Sequence, residues 1–188
     1  FSNADLCVNL VGILFEKGKN NFTNIHIEFP KMISRLASIY KIEKFVHLSA
    51  LGIENAKDSI YAQSKLKGEK EILNNFNKAV IVRPSIVYSV DDNFTTQLMT
   101  LLRVLPIFPI YYNGKTKFRP IFCSDLTNSI TKIITDDIRE NIIEFAGPEE
   151  MSFKEILEKL LFLIEKKRLL LPMPISLARM TAHIFEIL

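Results

Sequence analysis

No glycine-rich turn of the form GxGxxG or GxxGxxG occurs in these 188 residues; the six glycines are scattered. Such a turn lets backbone N–H groups cradle a phosphate at a helix N-terminus, so its absence excludes a cradle of that type within this sequence. Cysteine is scarce. Cys7 and Cys123 form no CxxC pair and have no metal-ligand spacing with His26, His47 or His183. That pattern predicts two buried, reduced thiols in a cytosolic-type protein. Long apolar runs are also missing. The stretch "VLPIFPIYYNG" from Val104 is broken by Pro106 and Pro109, short of the roughly 18–20 apolar residues that span a bilayer. There is no basic n-region or small-residue cleavage site of a signal peptide. Charge of one sign is weak too: Lys+Arg 24 against Asp+Glu 21 leaves +3. No dense basic block interleaved with aromatics points to nucleic acid.

What is present is an ordinary globular composition, 48% hydrophobic and 24% charged, enough for one well-packed domain and a small lobe. The chain opens on Phe1 and ends in the uncapped helical pattern "ISLARMTAHIFEIL". Both ends read as cut, which predicts a piece of a longer protein. "DLCVNLVG" (Asp5 to Gly12), "KFVHLSALG" (Lys44 to Gly52) and "KAVIVRPSIVYS" (Lys78 to Ser89) read as buried strands. Between them, "TNIHIEFPKMISRLASIYK" places Ile25, Phe29, Met32, Ile33, Leu36 and Ile39 on one helical side, with Pro30 marking a kink or a late start. "DSIYAQSKLKGEKEILNN" reads as a second helix. This βαβ rhythm predicts a parallel sheet with helices on both faces.

Beyond Ser89 the spacing predicts a helix from Asp91 to Pro106 capped at Asp92 or Asn93, and a short strand in "GKTKFRPIFCSDL". A helix capped by Ser124 or Asp125 and a strand ending at Ala146 follow. Ser152 with Glu155 then forms a capping box that opens another helix. The fold expected is α/β: a Rossmann-type doubly wound parallel sheet, first half missing, over residues 1–90, with a smaller mixed α/β lobe over 91–188.

Tyr61 and Lys65 stand at i and i+4 on the second helix, on one face. An ammonium beside a phenol lowers its pKa, as a general acid/base requires. A half-buried Tyr under a solvated Lys has the same spacing. Position separates the two readings. The strand before this helix ends in Ser49, and ligands of parallel sheets lie outside the carboxyl ends of the strands. The ends "NLVG" and Pro84-Ser85 gather at the same edge.

"NLVG", "FVHLSALG", "YAQSK" with "KGEKE", and "VIVRPSIVYS" resemble the second half of the Rossmann domain of extended or atypical short-chain dehydrogenases/reductases, the NAD-dependent epimerase/dehydratase type. "DDNF", "FRPIFCSDLTNSI" and "EFAGPEEMSFKEIL" resemble the downstream segment of that superfamily, so the likeness runs from Asp5 to about Leu170. The wording is most similar to the branch of the Rossmann-type accessory subunit of respiratory complex I (alpha subcomplex subunit nine) and its bacterial relatives. The resemblance implies NAD or NADP as cofactor and Tyr61 as the acid/base. Lys65 would bond the nicotinamide ribose, and Ser49 would be the helper. It further implies cofactor contacts at Asn9, Leu10, Val11, Gly12, Leu48, Pro84, Ser85, Ile86 and Val87. Active extended members usually end the second strand in two hydroxyl residues, and here the second is Ala50.

Two functions follow from the resemblance. One is a nucleotide-binding accessory or assembly factor of respiratory NADH dehydrogenase, cytoplasmic or peripheral to the respiratory membrane, with complex subunits as partners. The other is an active NAD(P)-dependent oxidoreductase or epimerase/dehydratase.

The remaining polar residues have plainer readings. Asp91, Asp92 and Asn93 suit a helix cap better than a metal site, because no further ligand sits at spacing. His26 and His47 read as packed, hydrogen-bonded histidines, and Arg83 as a tie from strand end to loop. Arg119 suits an anionic group or a surface ion pair. "EKKRLLLPMPISLARM" reads as a core helix or a peripheral membrane or partner surface.

Overall fold

A computed structural model describes residues 3–136, 138 and 140–174. The chain runs β1 (Leu6–Asn9), a π-helical segment (Thr23–Glu28), α1 (Phe29–Ile39), β2 (Lys44–Leu48), α2 (Ile60–Asn75) and β3 (Val80–Pro84). It continues through β4 (Val87–Tyr88), α3 (Asn93–Val104), β5 (Ile107–Tyr111), β6 (Lys117–Phe118), β7 (Ile121–Phe122) and α4 (Cys123–Thr135). It closes with β8 (Ile142–Phe145), β9 (Met151–Ser152), α5 (Phe153–Leu163) and β10 (Leu169–Met173). The described residues form two compact units, one up to Ser85 plus Ser124–Ala146, the other Ile86–Cys123 plus 147–174.

The first unit is a four-stranded parallel sheet in the order β1-β2-β3-β8. Parallel neighbours need long crossovers, and α1 and α2 supply the first two. Cys7, Phe45, Ala79 and Ile81 share one sheet face. They pack with Ile33 and Ala37 of α1 and Ile72 of α2 into an apolar cluster. Val46 and Val80 alternate to the other face, where Ile133 of α4 lines the same cavity. Helices therefore lie on both faces.

Several sequence expectations shift here for local reasons. The first strand ends at Asn9, because the Asn9 Oδ1 accepts the Val11 N–H at 3.1 Å and turns the backbone out of the sheet. Pro30 occupies the first turn of α1, preceded by the π-helical segment, so the helix starts late. The buried side of α1 is Pro30, Ile33, Ser34 and Ala37, whereas Met32 and Ile39 are exposed. Small residues let α1 approach α2, and that contact sets the phase of the helix. The third strand stops at Pro84, and Val87–Tyr88 pairs separately with β7. Helix α4 begins at Cys123, which puts Ser124 and Asp125 in its first turn. Cys7 and Cys123 are half-buried, and neither is in a disulfide.

The second unit has three two-stranded ladders: β4 with β7, β6 with β9, and β5 with β10. Helices α3 and α5 and strand β5 share a core of Leu102, Phe108, Ile110, Leu157 and Leu160. Asp92 caps α3 by accepting the Thr95 N–H at 2.6 Å, and Ser152 with Glu155 forms the capping box of α5. Among the described residues no group of His, Cys, Asp and Glu could hold a metal ion. Strands β5 and β10 were not expected. Both segments carry a proline, Pro109 and Pro172, yet a two-stranded ladder leaves one edge of each strand free, where a missing N–H does no harm. The basic apolar stretch expected as a helix or surface is thus strand β10 over Leu169–Met173, and its remainder from 175 lies outside the described residues.

Toward the carboxyl ends of the strands, the α1–α2 face of the sheet turns polar. Asn9, His47 and Arg83 follow the apolar residues on that face, all buried. The Arg83 guanidinium donates to both Glu69 oxygens, Nε to Oε1 at 3.0 Å and Nη2 to Oε2 at 2.6 Å, and reaches Glu54 at 2.8 Å. It ties β3 to α2 and to the loop ahead of it. The His47 Nδ1 accepts from the Asn9 amide at 2.9 Å, which assigns its proton to Nε2.

Burial, then the Lys65 charge, then that of His26, lower the His47 pKa to about 3. Between that value and about 6.5 the unfolded chain binds the extra proton, so stability is full above about pH 6.5 and falls as pH drops. We expect acidification from pH 7 to 5 to cost His47→Gln less stability than wild type, by up to about 1.4 kcal/mol per pH unit, read from urea midpoints. Equal pH slopes would exclude a buried neutral His47. Gly68 of α2 faces the π-helical segment, and a Cβ there would lie 1.9 Å from the His26 carbonyl oxygen. Gly68→Ala should destabilise by about 2 kcal/mol in thermal melts, overpacking outweighing the gain of about 1 in helix propensity.

Candidate functional site

The carboxyl edge of the parallel sheet collects most of the residues singled out in the sequence. The Asn9–Gly12 turn leaves β1, Leu48 and Ser49 end β2, and Pro84 and Ser85 end β3. The Ser49 N–H donates to Val82 O at 2.7 Å, the Leu51 N–H to Pro84 O at 2.9 Å, and the Ser85 N–H to Phe145 O at 2.8 Å. These bonds hold the strand ends together past the sheet proper. Ile86 and Val87 begin the second unit.

Ser59 caps α2, accepting the Ala62 N–H at 3.2 Å, so the first turns of the helix lie at this edge. Lys65 projects back from it and is only 5% exposed. Its Nζ donates to Leu48 O at 3.2 Å. Desolvation lowers its pKa to about 8, opposed by the charge of Glu69. Gly12 lies against it: a Cβ on Gly12 would sit 3.1 Å from the Lys65 Nζ. Beside Leu48, the buried Ser49 Oγ has no hydrogen-bond partner among the described residues. A buried hydroxyl without a partner costs free energy unless a ligand or water completes it. Leu10 and Val11 stand open to solvent.

Tyr61 behaves differently from its sequence expectation. Its ring meets His26 edge-on at 5.4 Å and Phe22 at 5.9 Å, while Phe22 stacks on His26 at 5.2 Å. Burial raises the Tyr61 pKa. The expected lowering by Lys65 does not hold in this structure, because desolvation of the phenol decides the direction.

His26 is packed and hydrogen-bonded, as its sequence position suggested. The Ile13 N–H donates to its Nε2 at 3.1 Å, which assigns the ring proton to Nδ1, 2.8 Å from the Ser64 Oγ. Ser64 in turn donates to Tyr61 O at 2.7 Å. Burial first, then Lys65, lowers the His26 pKa to about 4. Sequence reasoning missed Phe22 and this chain of bonds. The signal was faint: Phe22 and His26 are four residues apart, but through a π-helical segment that no periodicity announces. Arg119, in the second unit, donates to Pro148 O at 3.3 Å.

No family model matches the chain. Curated relatives do. The "NADH dehydrogenase [ubiquinone] 1 alpha subcomplex subunit 9, mitochondrial" of Dictyostelium discoideum is 28% identical over 162 residues, 85% of this chain and 44% of that protein. The mouse protein of the same name is 23% identical over 174 residues, 92% of this chain and 46% of its own length. The chain thus spans about half the length of the curated relatives it matches. Among solved structures, a dTDP-4-dehydrorhamnose reductase from Bacillus anthracis in complex with NADP aligns with TM-score 0.74 at 17% identity, over 90% of this chain and 65% of that one. A UDP-glucuronic acid 4-epimerase from Bacillus cereus in complex with NAD gives TM-score 0.76 at 19% identity, over 91% and 63%. By sequence the chain is similar to alpha subcomplex subunit 9 of NADH dehydrogenase, and its fold is the α/β Rossmann type that it shares with these reductases and epimerases.

Proposed function

We propose that this chain carries part of an NAD(P)-binding site and serves as a nucleotide-binding accessory or assembly factor of a respiratory NADH dehydrogenase. The observation that carries the reading is Lys65: a buried ammonium at the carboxyl edge of a parallel sheet, beside the unpartnered Ser49 hydroxyl and a glycine that leaves it room. A ligand bearing hydroxyls fits these groups. Lys65 would donate to ribose hydroxyls, Ser49 would complete its missing bond, and the Asn9–Gly12 backbone would pass beside the adenosine half. Pro84 and Ser85 would border the nicotinamide. When bound, the nicotinamide supplies hydride chemistry. The complex I assignment rests on the names of the curated relatives. No described helix is long and apolar enough to cross a membrane, so a peripheral position among complex subunits is the one proposed.

A second reading, turnover as an oxidoreductase or epimerase, draws on Tyr61 and Lys65 sharing α2. Against it stand Ala50 and a Tyr61 phenol whose pKa is raised and whose ring packs against Phe22 and His26.

Two measurements on the protein as its gene encodes it decide the matter. Lys65→Met should weaken NADH or NADPH binding by about tenfold or more, the loss of a charge-assisted bond. Its melting temperature should hold or rise, since the buried ammonium is itself costly; full affinity in the variant would remove the basis of the reading. Wild-type protein should retain nucleotide through gel filtration without oxidising it. Carbonyl-dependent oxidation of NADH or NADPH that disappears in Tyr61→Phe would establish turnover instead.

A further inference from the structure

The loop after β1 is poorly held by packing. Leu10 is 59% exposed, Leu14 76% and Phe15 73%. Yet its middle, Gly12, must stay against the Lys65 ammonium for the proposed site to keep its shape. Two side chains bond to its backbone. Asn9 accepts the Val11 N–H, and His26 accepts the Ile13 N–H. The Asn9 bond is local and moves with the strand end. His26 comes from a different element, and its other nitrogen is anchored to Ser64, which lies between Tyr61 and Lys65 on α2. One imidazole therefore joins the loop carrying Gly12 to the helix carrying Lys65. The ring can do this only while neutral, since an imidazolium has no acceptor for the Ile13 N–H. The nearby Lys65 charge works against protonation of the ring.

We propose that His26 is a positioning residue for the nucleotide. It fixes the Asn9–Ile13 loop against α2 before the ligand arrives, so binding does not have to order that loop. The proposal rests on the nucleotide-binding reading above. Fixing a loop in its bound form raises affinity by removing an ordering cost.

The test compares variants that keep one or the other of its two bonds. The Gln side chain reaches about as far as Nε2 and offers an amide oxygen to the Ile13 N–H; Asn reaches only to Nδ1. Affinities for NADH and NADPH are titrated by fluorescence in the protein as its gene encodes it, with thermal melts alongside. His26→Asn should bind about tenfold more weakly than wild type, the effect of one lost buried bond. His26→Gln should stay within about threefold of wild type while melting at about the same temperature as His26→Asn. Should His26→Asn fail to fold, Ser64→Ala frees the ring from α2 and should lower affinity about threefold by the same reasoning. Equal affinities in wild type and the variants would overturn the positioning role and leave the nucleotide reading standing. Losses in Asn and Gln that merely follow the melting temperature would overturn it too. A wild type that binds neither nucleotide would overturn both.

Discussion

Much of this structure depends on one buried ammonium. Lys65 leaves water at the carboxyl edge of the sheet with a backbone carbonyl as its hydrogen-bond acceptor. Desolvating a charge is expensive, and the surroundings answer it. Its own pKa falls to about 8, and its field helps hold His26 and His47 neutral. Neutral imidazoles can accept hydrogen bonds, so the turn after β1 is fixed by His26 directly and by His47 through Asn9. Burial, helped by a charge on α2, keeps two rings neutral, and those rings shape a loop on β1.

The sheet makes this arrangement possible. Parallel strands end at a common edge, and the face that is apolar at Phe45 and Ile81 becomes polar at Asn9, His47 and Arg83. Arg83 and Glu69 pair inside that polar end with two parallel bonds, geometry suited to a buried guanidinium and carboxylate. The pair locks α2 to β3 one turn beyond Lys65. Gly68, between Lys65 and Glu69 along the helix, brings α2 onto the segment that holds His26. The core packing and the polar edge are thus one construction, in which each helix contact also sets a distance in the site.

Much of the fold was legible because its signals are local. Apolar β-branched runs marked β1, β2 and β3; Asp92 and Ser152 marked helix starts by capping chemistry; Pro30 marked a late one. The errors came where partners decide. Strands β5 and β10 exist only through their pairing with each other, which joins segments distant in sequence. The apolar stripe of α1 included Met32 and Ile39, which the approach of α2 leaves exposed. Lys65, Gly12 and Ser49 were singled out from strand-end position and resemblance. Phe22 and the Ser64 bond were not, because ring stacking and a shared proton leave no periodic trace.

Local sequence pattern was enough for the βαβ order, the parallel sheet that follows from it, and the one-turn spacing of Tyr61 and Lys65 on the second helix. These are consequences of side-chain periodicity and backbone geometry, which act within a few residues. Only the tertiary structure decided what that spacing means. Burial turned Lys65 inward to Leu48 and Gly12, and set Tyr61 among aromatic rings with its pKa raised rather than lowered. Desolvation depends on everything that surrounds a group, and no local pattern encodes it.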